Sequence, residues 1–112
     1  MMLRRDDQAL MKPLRGLDQL DPLLQHRSRL GALALLSGAD ALSFARLRAL
    51  LEETDGNLGA QLRKLEDAGY VSVKKEFEKR KPVSWYSITA KGRKAIKKHL
   101  EAIEMLIKAG GG

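Results

Sequence analysis

Cysteine is absent from the 112 residues, and this one absence removes disulfide scaffolds, thiolate zinc sites, iron–sulfur clusters and cysteine nucleophiles together. Histidine is nearly as scarce. His26 and His99 are the only two, and neither has a second histidine at helical spacing, so no metal or histidine-based catalytic site is expected, and no cofactor. Long apolar runs are also missing. The longest stretch free of charged side chains, Leu30 to Ala39, falls well short of the roughly 20 residues that cross a bilayer. No apolar segment follows the basic residues of Met1-Met2-Leu3-Arg4-Arg5-Asp6-Asp7, so no secretory signal and no membrane partner are expected, and the cytosol is the expected compartment. With no phosphate-cradling glycine loop and no nucleophile–base pair, the chain is not expected to be an enzyme.

What the chain does have is a folding composition and an uneven charge. Hydrophobic residues make up 44% and charged residues 31%, which places it among single globular domains rather than disordered tails. Lys and Arg number 21 against 14 Asp and Glu, for a net charge of +7. Residues 1–42 are almost balanced. From Arg63 to Lys98, twelve basic residues face only Glu66, Asp67, Glu76 and Glu78. Such a segment is the footprint of a polyanionic partner, the alternative being a merely solvated surface.

Periodicity divides the chain. In the first twenty residues Leu3, Leu10, Met11, Leu14, Leu17 and Leu20 supply apolar points, while Pro13 and Gly16 limit any helix to a short one. Asp21-Pro22 is a helix start, with Asp as N-cap and Pro at the first helical position. That helix is expected to run from Leu23 to about Leu36, with Gly38 as a left-handed C-cap. Ser43 caps a second helix through Phe44, Leu47, Leu50 and Leu51. A third, from about Asp55 to Ala68, carries Leu58, Leu62 and Leu65 as one buried stripe, which leaves Asn57, Gln61 and Lys64 on a shared outer face. After Gly69 the pattern is β-rich, in Tyr70–Phe77 and again in Val83–Ile88, joined by the charged Glu78-Lys79-Arg80-Lys81-Pro82. Thr89 caps a last helix from Ala90 to about Lys108, with Ile96, Leu100, Ile103 and Ile107 on one face, joined by Leu106.

Helix, helix, short turn, helix, β-hairpin, helix is the order of a winged helix-turn-helix domain. Three segments sharpen the match: Asp55-Gly56-Asn57-Leu58-Gly59-Ala60-Gln61-Leu62-Arg63-Lys64-Leu65-Glu66-Asp67-Ala68-Gly69-Tyr70-Val71, then Arg80-Lys81-Pro82, then Tyr86-Ser87-Ile88-Thr89-Ala90-Lys91-Gly92. Over roughly Leu17 to Leu106 the chain resembles winged-helix transcriptional regulators of prokaryotic type, close to the MarR-like group. The expected fold class is therefore mainly α with a small β-hairpin, a winged helix-turn-helix with extra terminal helices. Residues 1–16 are expected to form an N-terminal arm or short helix, 17–108 a DNA-binding domain with a C-terminal dimerisation helix, and 109–112 a disordered tail.

The resemblance implies a homodimer that binds double-stranded DNA, with the third helix in the major groove and the wing near the backbone or minor groove. Residue chemistry agrees. The amides of Asn57 and Gln61 suit adenine edges, and Lys64 reaches guanine or phosphate. Thr54 stands where free N–H groups meet a phosphate, although Asp55 would repel one. Lys79, Arg80 and Lys81 suit phosphates or a narrow minor groove, or else form a charged turn that discourages edge-strand aggregation. Gly59 either permits a close approach, of DNA or of a neighbouring helix, or is simply tolerated. Ile96, Leu100, Ile103, Leu106 and Ile107, with Leu3, Leu10 and Leu14, are the expected dimer surface. Any effector would be a small organic molecule between the terminal helices and the DNA-reading part. A protein-interaction or dimerisation module without specific DNA binding is the alternative function.

Overall fold

Apolar side chains recurring every three to four residues make the four longer of the five helices in the computed structural model, which describes residues 15–110. In chain order these residues form α1 (Gly16–Gln19), a 3₁₀ turn (Pro22–Leu24), α2 (Arg27–Ser37), β1 (Leu42–Ser43), α3 (Phe44–Leu51), α4 (Asp55–Asp67), β2 (Val71–Glu78), β3 (Lys81–Ile88) and α5 (Ala90–Ala109). Hydroxyl caps set three of the helix starts. Ser43, Thr54 and Thr89 accept from the N–H groups of Arg46, Asn57 and Gly92. The core is leucine from three helices: Leu33 and Leu36 of α2, Leu47 and Leu51 of α3, and Leu58, Leu62 and Leu65 of α4. Val71 and Ile96 close it from the sheet and α5. None of the helices among the described residues is long and apolar enough to cross a membrane.

The helix expected from Leu23 to Leu36 is broken in two. Asp21 caps only the 3₁₀ turn, accepting from the Leu23 N–H at 3.0 Å. The backbone then opens to an extended conformation at His26, whose Nδ1 accepts from the Ser28 N–H at 3.1 Å and starts α2 afresh. Gly38 is not left-handed, its φ being −103°. The helices that do end in a left-handed residue are α3, at Glu52 with φ 52°, and α4, at Gly69 with φ 80°. Ala109 belongs to α5 rather than to a tail.

The sheet has a third strand, in the antiparallel order β1-β3-β2. The hairpin connection is only Lys79-Arg80, so Pro82 sits inside β3 opposite Phe77. In a two-residue hairpin the pair next to the turn-flanking one is not hydrogen-bonded, so the missing Pro82 N–H costs no β2–β3 bond.

Three distant segments meet at Asp21. Its carboxylate accepts from the Tyr70 hydroxyl, and its N–H donates to Nδ1 of the buried His99 at 2.9 Å. His99 is therefore a core acceptor that ties α5 to the start of the domain. Nearby, Thr89 donates to the Gly69 carbonyl at 2.6 Å, and Gly92 packs so closely that a Cβ there would lie 2.2 Å from the Tyr70 carbonyl oxygen. Burial, then the Asp21 hydrogen bond and charge, push the Tyr70 pKa up to about 12. The fold holds this proton more tightly than the unfolded chain does. The stabilisation is thus complete below pH 10 and is lost as pH rises from about 10 through 12. Denaturant titrations of wild type and Tyr70→Phe across that interval should show wild type losing stability more steeply.

Candidate nucleic-acid interface

Leu58, Gln61, Leu62 and Leu65 are the buried residues of α4, and they decide which side chains face out. At 100° per residue the positions opposite them are Gly56, Ala60, Arg63 and Asp67, all exposed. Asn57 and Lys64 are exposed on one flank, while Gly59 and Glu66 lie on the other. Arg63, in the middle of the outer face, was not among the residues singled out from the sequence. Centring the helical wheel on the whole leucine stripe, rather than stepping from Asn57, would have found it.

Gln61 corrects the sequence expectation. It is turned inward, 8% exposed, and its Oε1 accepts from the Arg29 guanidinium of α2. Its Nε2 donates to Asn57 Oδ1 at 3.2 Å. The Asn57 amide in turn donates to Glu53, which accepts from Arg27 at 3.0 Å, while Arg27 also donates to the Leu51 carbonyl at 2.9 Å. The cause is a charged donor from another helix. A side-chain amide gains more from Arg29 inside the protein than from water outside, because charge-assisted hydrogen bonds are about twice as strong as neutral ones. Glu53 is held below the usual carboxylate range, first by the Asn57 amide, then by the Ser28 hydroxyl and the Arg27 charge, with burial opposing. The same relay engages both ends of the Asn57 amide, so only Lys64 of the three keeps its polar group unengaged within the structure's hydrogen bonds.

Between α4 and the hairpin lies a groove of about 680 Å³, lined by Gly56, Gly59, Ala60 and Arg63 on one side and by Lys75 and Tyr86 on the other. A Cβ at Gly56 or Gly59 would meet nothing within 4 Å. Gly59 is thus not required for packing on a neighbouring helix, and it leaves the groove wall bare. Two carboxylates border the groove. Asp55 is paired with Arg48 at 2.7 Å. Glu66 adds to the burial that raises the Tyr86 pKa, with Arg63 acting against it. Thr54 is exposed, but its hydroxyl is occupied in capping α4.

At the wing tip Lys79 and Arg80 have φ of 50° and 65°, both left-handed, and Lys81 begins β3. A two-residue hairpin turn with positive φ at both positions ordinarily takes Asn-Gly. Holding two residues with Cβ atoms there costs about 1–3 kcal/mol each. The tip carries two cations where the backbone would favour neither.

Of the residues expected to pair two copies, Ile96 does not qualify, because it is 6% exposed in the domain's own core. Its position near the start of α5 faces the helices of the same chain. Further along, Leu100 and Ile107 are exposed, and Ile103 and Leu106 are half-buried. α1 lies on this end of α5, with Gly16 against Ala102, Met105 and Leu106. Leu3, Leu10 and Leu14 lie outside the described residues.

Residues 28–107 match the family model of the winged helix DNA-binding domain. An uncharacterized protein of Methanocaldococcus jannaschii is 41% identical over 80 residues, which cover 71% of this chain and 87% of that protein. The structure of a transcriptional regulator homologue from Pyrococcus horikoshii superposes with a TM-score of 0.73 at 26% identity, covering 94% of this chain and 96% of that one. A MarR family transcriptional regulator from Streptomyces coelicolor, solved in complex with DNA, superposes with a TM-score of 0.64 at 17% identity, covering 97% and 76%. The family match covers α2 through nearly the end of α5. The chain belongs to the winged helix DNA-binding domain family, with the fold of the MarR-type transcriptional regulators.

Proposed function

We propose that this protein is a homodimeric, sequence-specific transcriptional regulator that lays α4 in the major groove of double-stranded DNA and its wing on the backbone or minor groove. The observation that carries the reading is the shared groove. The bare glycine wall and outward Arg63 of α4 open onto the same space as Lys75 of the wing, beside a tip that holds Lys79 and Arg80 in left-handed backbone. A bare wall lets helix backbone approach base edges, and an arginine on it can pair bidentately with guanine. The DNA complex of the Streptomyces coelicolor regulator supports the same use of this fold.

Roles are divided differently from the sequence expectation. Arg63 and Lys64 read bases or phosphates from α4, and Asn57 reaches DNA only by leaving Glu53. Gln61 positions the helix. Lys79, Arg80 and Lys81 neutralise phosphates, and Thr54 presents the start of α4. Dimerisation through α5 is supported by shape as well as by the exposed Leu100 and Ile107. The radius of gyration is 17.8 Å, where a compact domain of this length has about 13 Å. A long helix projecting from its own domain gains by packing on a second copy, and a two-fold dimer reads an inverted repeat with half-sites about one helical turn apart.

Anisotropy titrations at several salt concentrations, on random duplex and on a duplex selected from a random pool, test this reading. The binding constant should fall steeply with salt on both. Arg63→Ala should cost about 1–3 kcal/mol on the selected duplex and much less on random DNA. Gln61→Ala should instead lower the unfolding temperature, because it leaves Arg29 short of a buried partner. Salt-insensitive binding, or none, would refute the reading. Replacing Lys79-Arg80 by Asn-Gly should separate stability from function. The fold should gain about 1 kcal/mol or more from relief of the turn, while the salt slope shrinks by roughly 2 through the loss of two phosphate contacts. Leu100→Asp should convert the sedimenting dimer to monomer and weaken binding to a two-half-site duplex, which then loses its linked second contact.

A further inference from the structure

Phe77 is 79% exposed, more than any other large hydrophobic side chain among the described residues. A lone exposed aromatic is ordinary. This one has a particular setting. It lies opposite Pro82 in a non-hydrogen-bonded pair, where cross-strand side chains approach most closely, one pair from the Lys79-Arg80 turn. By strand alternation Val73, Lys75 and Phe77 share a face with Pro82, Ser84 and Tyr86, the face that borders the α4 groove. That face of the hairpin holds Lys75 and no carboxylate. The acids are on the other face, where Glu76 pairs with Lys74 at 3.1 Å and Glu78 stands opposite Lys81. The wing is thus sorted by side: apolar and cationic toward the groove, charge-balanced away from it.

We propose that Phe77 is a DNA wedge, entering the minor groove beside the Lys79-Arg80 turn and partly unstacking a base step that α4 does not touch. The inference rests on the DNA-binding reading and adds a mode of recognition to it. Apolar side chains inserted from the minor groove kink the duplex, and adjacent cations neutralise the backbone phosphates beside the kink. The Phe77 ring leaves water, while Lys75 on the same strand face and the Lys79-Arg80 turn one pair away supply the cations that hold the strands. A second copy of the wing is a poor occupant for this patch, since it would bring the same three cations face to face with these. Recognition of this kind selects deformability. Flexible pyrimidine–purine steps at the flanks of each half-site would be preferred without any hydrogen bond to their edges.

The test uses the full chain and a duplex selected by wild type from a random pool. Permanganate oxidation reports unstacked thymines, and end-to-end energy transfer reports bending. Wild type should make flanking thymines reactive and shorten the end-to-end distance. Phe77→Ala should abolish both and weaken binding about tenfold, with the salt slope unchanged. Phe77→Leu should retain most of the effect. Because Phe77 is exposed, both variants should keep the wild-type circular dichroism and melting temperature. An unchanged permanganate pattern in Phe77→Ala would overturn the wedge while leaving DNA binding intact. A dimer that dissociates on Phe77→Ala would overturn it in favour of self-association. Wild type that binds no duplex in a salt-dependent way would remove both the wedge and the reading beneath it.

Discussion

The rotation of α4 about its own axis is the constraint on which the interface depends. Three leucines alone leave some latitude, because a leucine stripe can settle on neighbouring leucines over a range of angles. Gln61 narrows it. Its amide must meet the Arg29 guanidinium, whose Nε is itself held by the Leu23 carbonyl at 2.5 Å. The orientation of α4 therefore traces through Arg29 to the 3₁₀ turn. On the outer side Asn57, Glu53 and Arg27 close the same chain of bonds against α2 and the end of α3. A rotation of one residue, 100°, would bury Arg63 and expose a leucine, so the polar relay also protects the identity of the outward face.

Much of the fold is legible because it depends on short-range pattern. The Leu58, Leu62, Leu65 stripe, the Ser43 and Thr89 caps and the switch from helical to strand periodicity at Gly69 are all readable within a window of about a dozen residues. The departures lie where residue type and spacing carry no such signal. Gln61 faces inward because of Arg29, 32 residues away. The helix expected from Leu23 breaks because His26, a residue with no strong reputation as a cap, accepts from Ser28. The Lys79-Arg80 turn has none of the Gly or Asn that marks left-handed backbone, so its tightness cannot be seen in residue types. Ile96 reads as part of one continuous apolar helix face, and only the packed structure shows that this face changes partners partway along.

The wing shows how strand alternation converts a mixed sequence into a sorted surface. Lys74-Lys75-Glu76-Phe77-Glu78 looks like an undifferentiated charged run. Folded, it places Lys75 and Phe77 toward the α4 groove and sends Lys74, Glu76 and Glu78 to the far side, where opposite charges meet. A shift of register by one residue would point both glutamates at the groove. The register is held by the tight turn at one end and by the Tyr70, Thr89 and Gly92 contacts at the other. On the proposed function the strain at Lys79 and Arg80 is intelligible: the same two residues fix the register and supply the tip charge, and Asn-Gly would serve only the first role.

α5 joins these two ends of the molecule. Its first half belongs to the domain, through Gly92 against the Tyr70 carbonyl, Ile96 in the core and His99 on the Asp21 N–H. Its second half carries α1, with Gly16 against Ala102, Met105 and Leu106, and leaves Leu100 and Ile107 exposed. The helix is 20 residues long, about 30 Å, with no proline and no glycine between Gly92 and Gly110 to hinge it. In the proposed dimer, whatever fixes the far half of α5 against a second copy also fixes the distance and angle between the two α4 helices. A rigid lever of this kind would suit the proposed reading of two half-sites on one duplex, and the buried His99–Asp21–Tyr70 contact is the joint that ties it to the residue leading into β2.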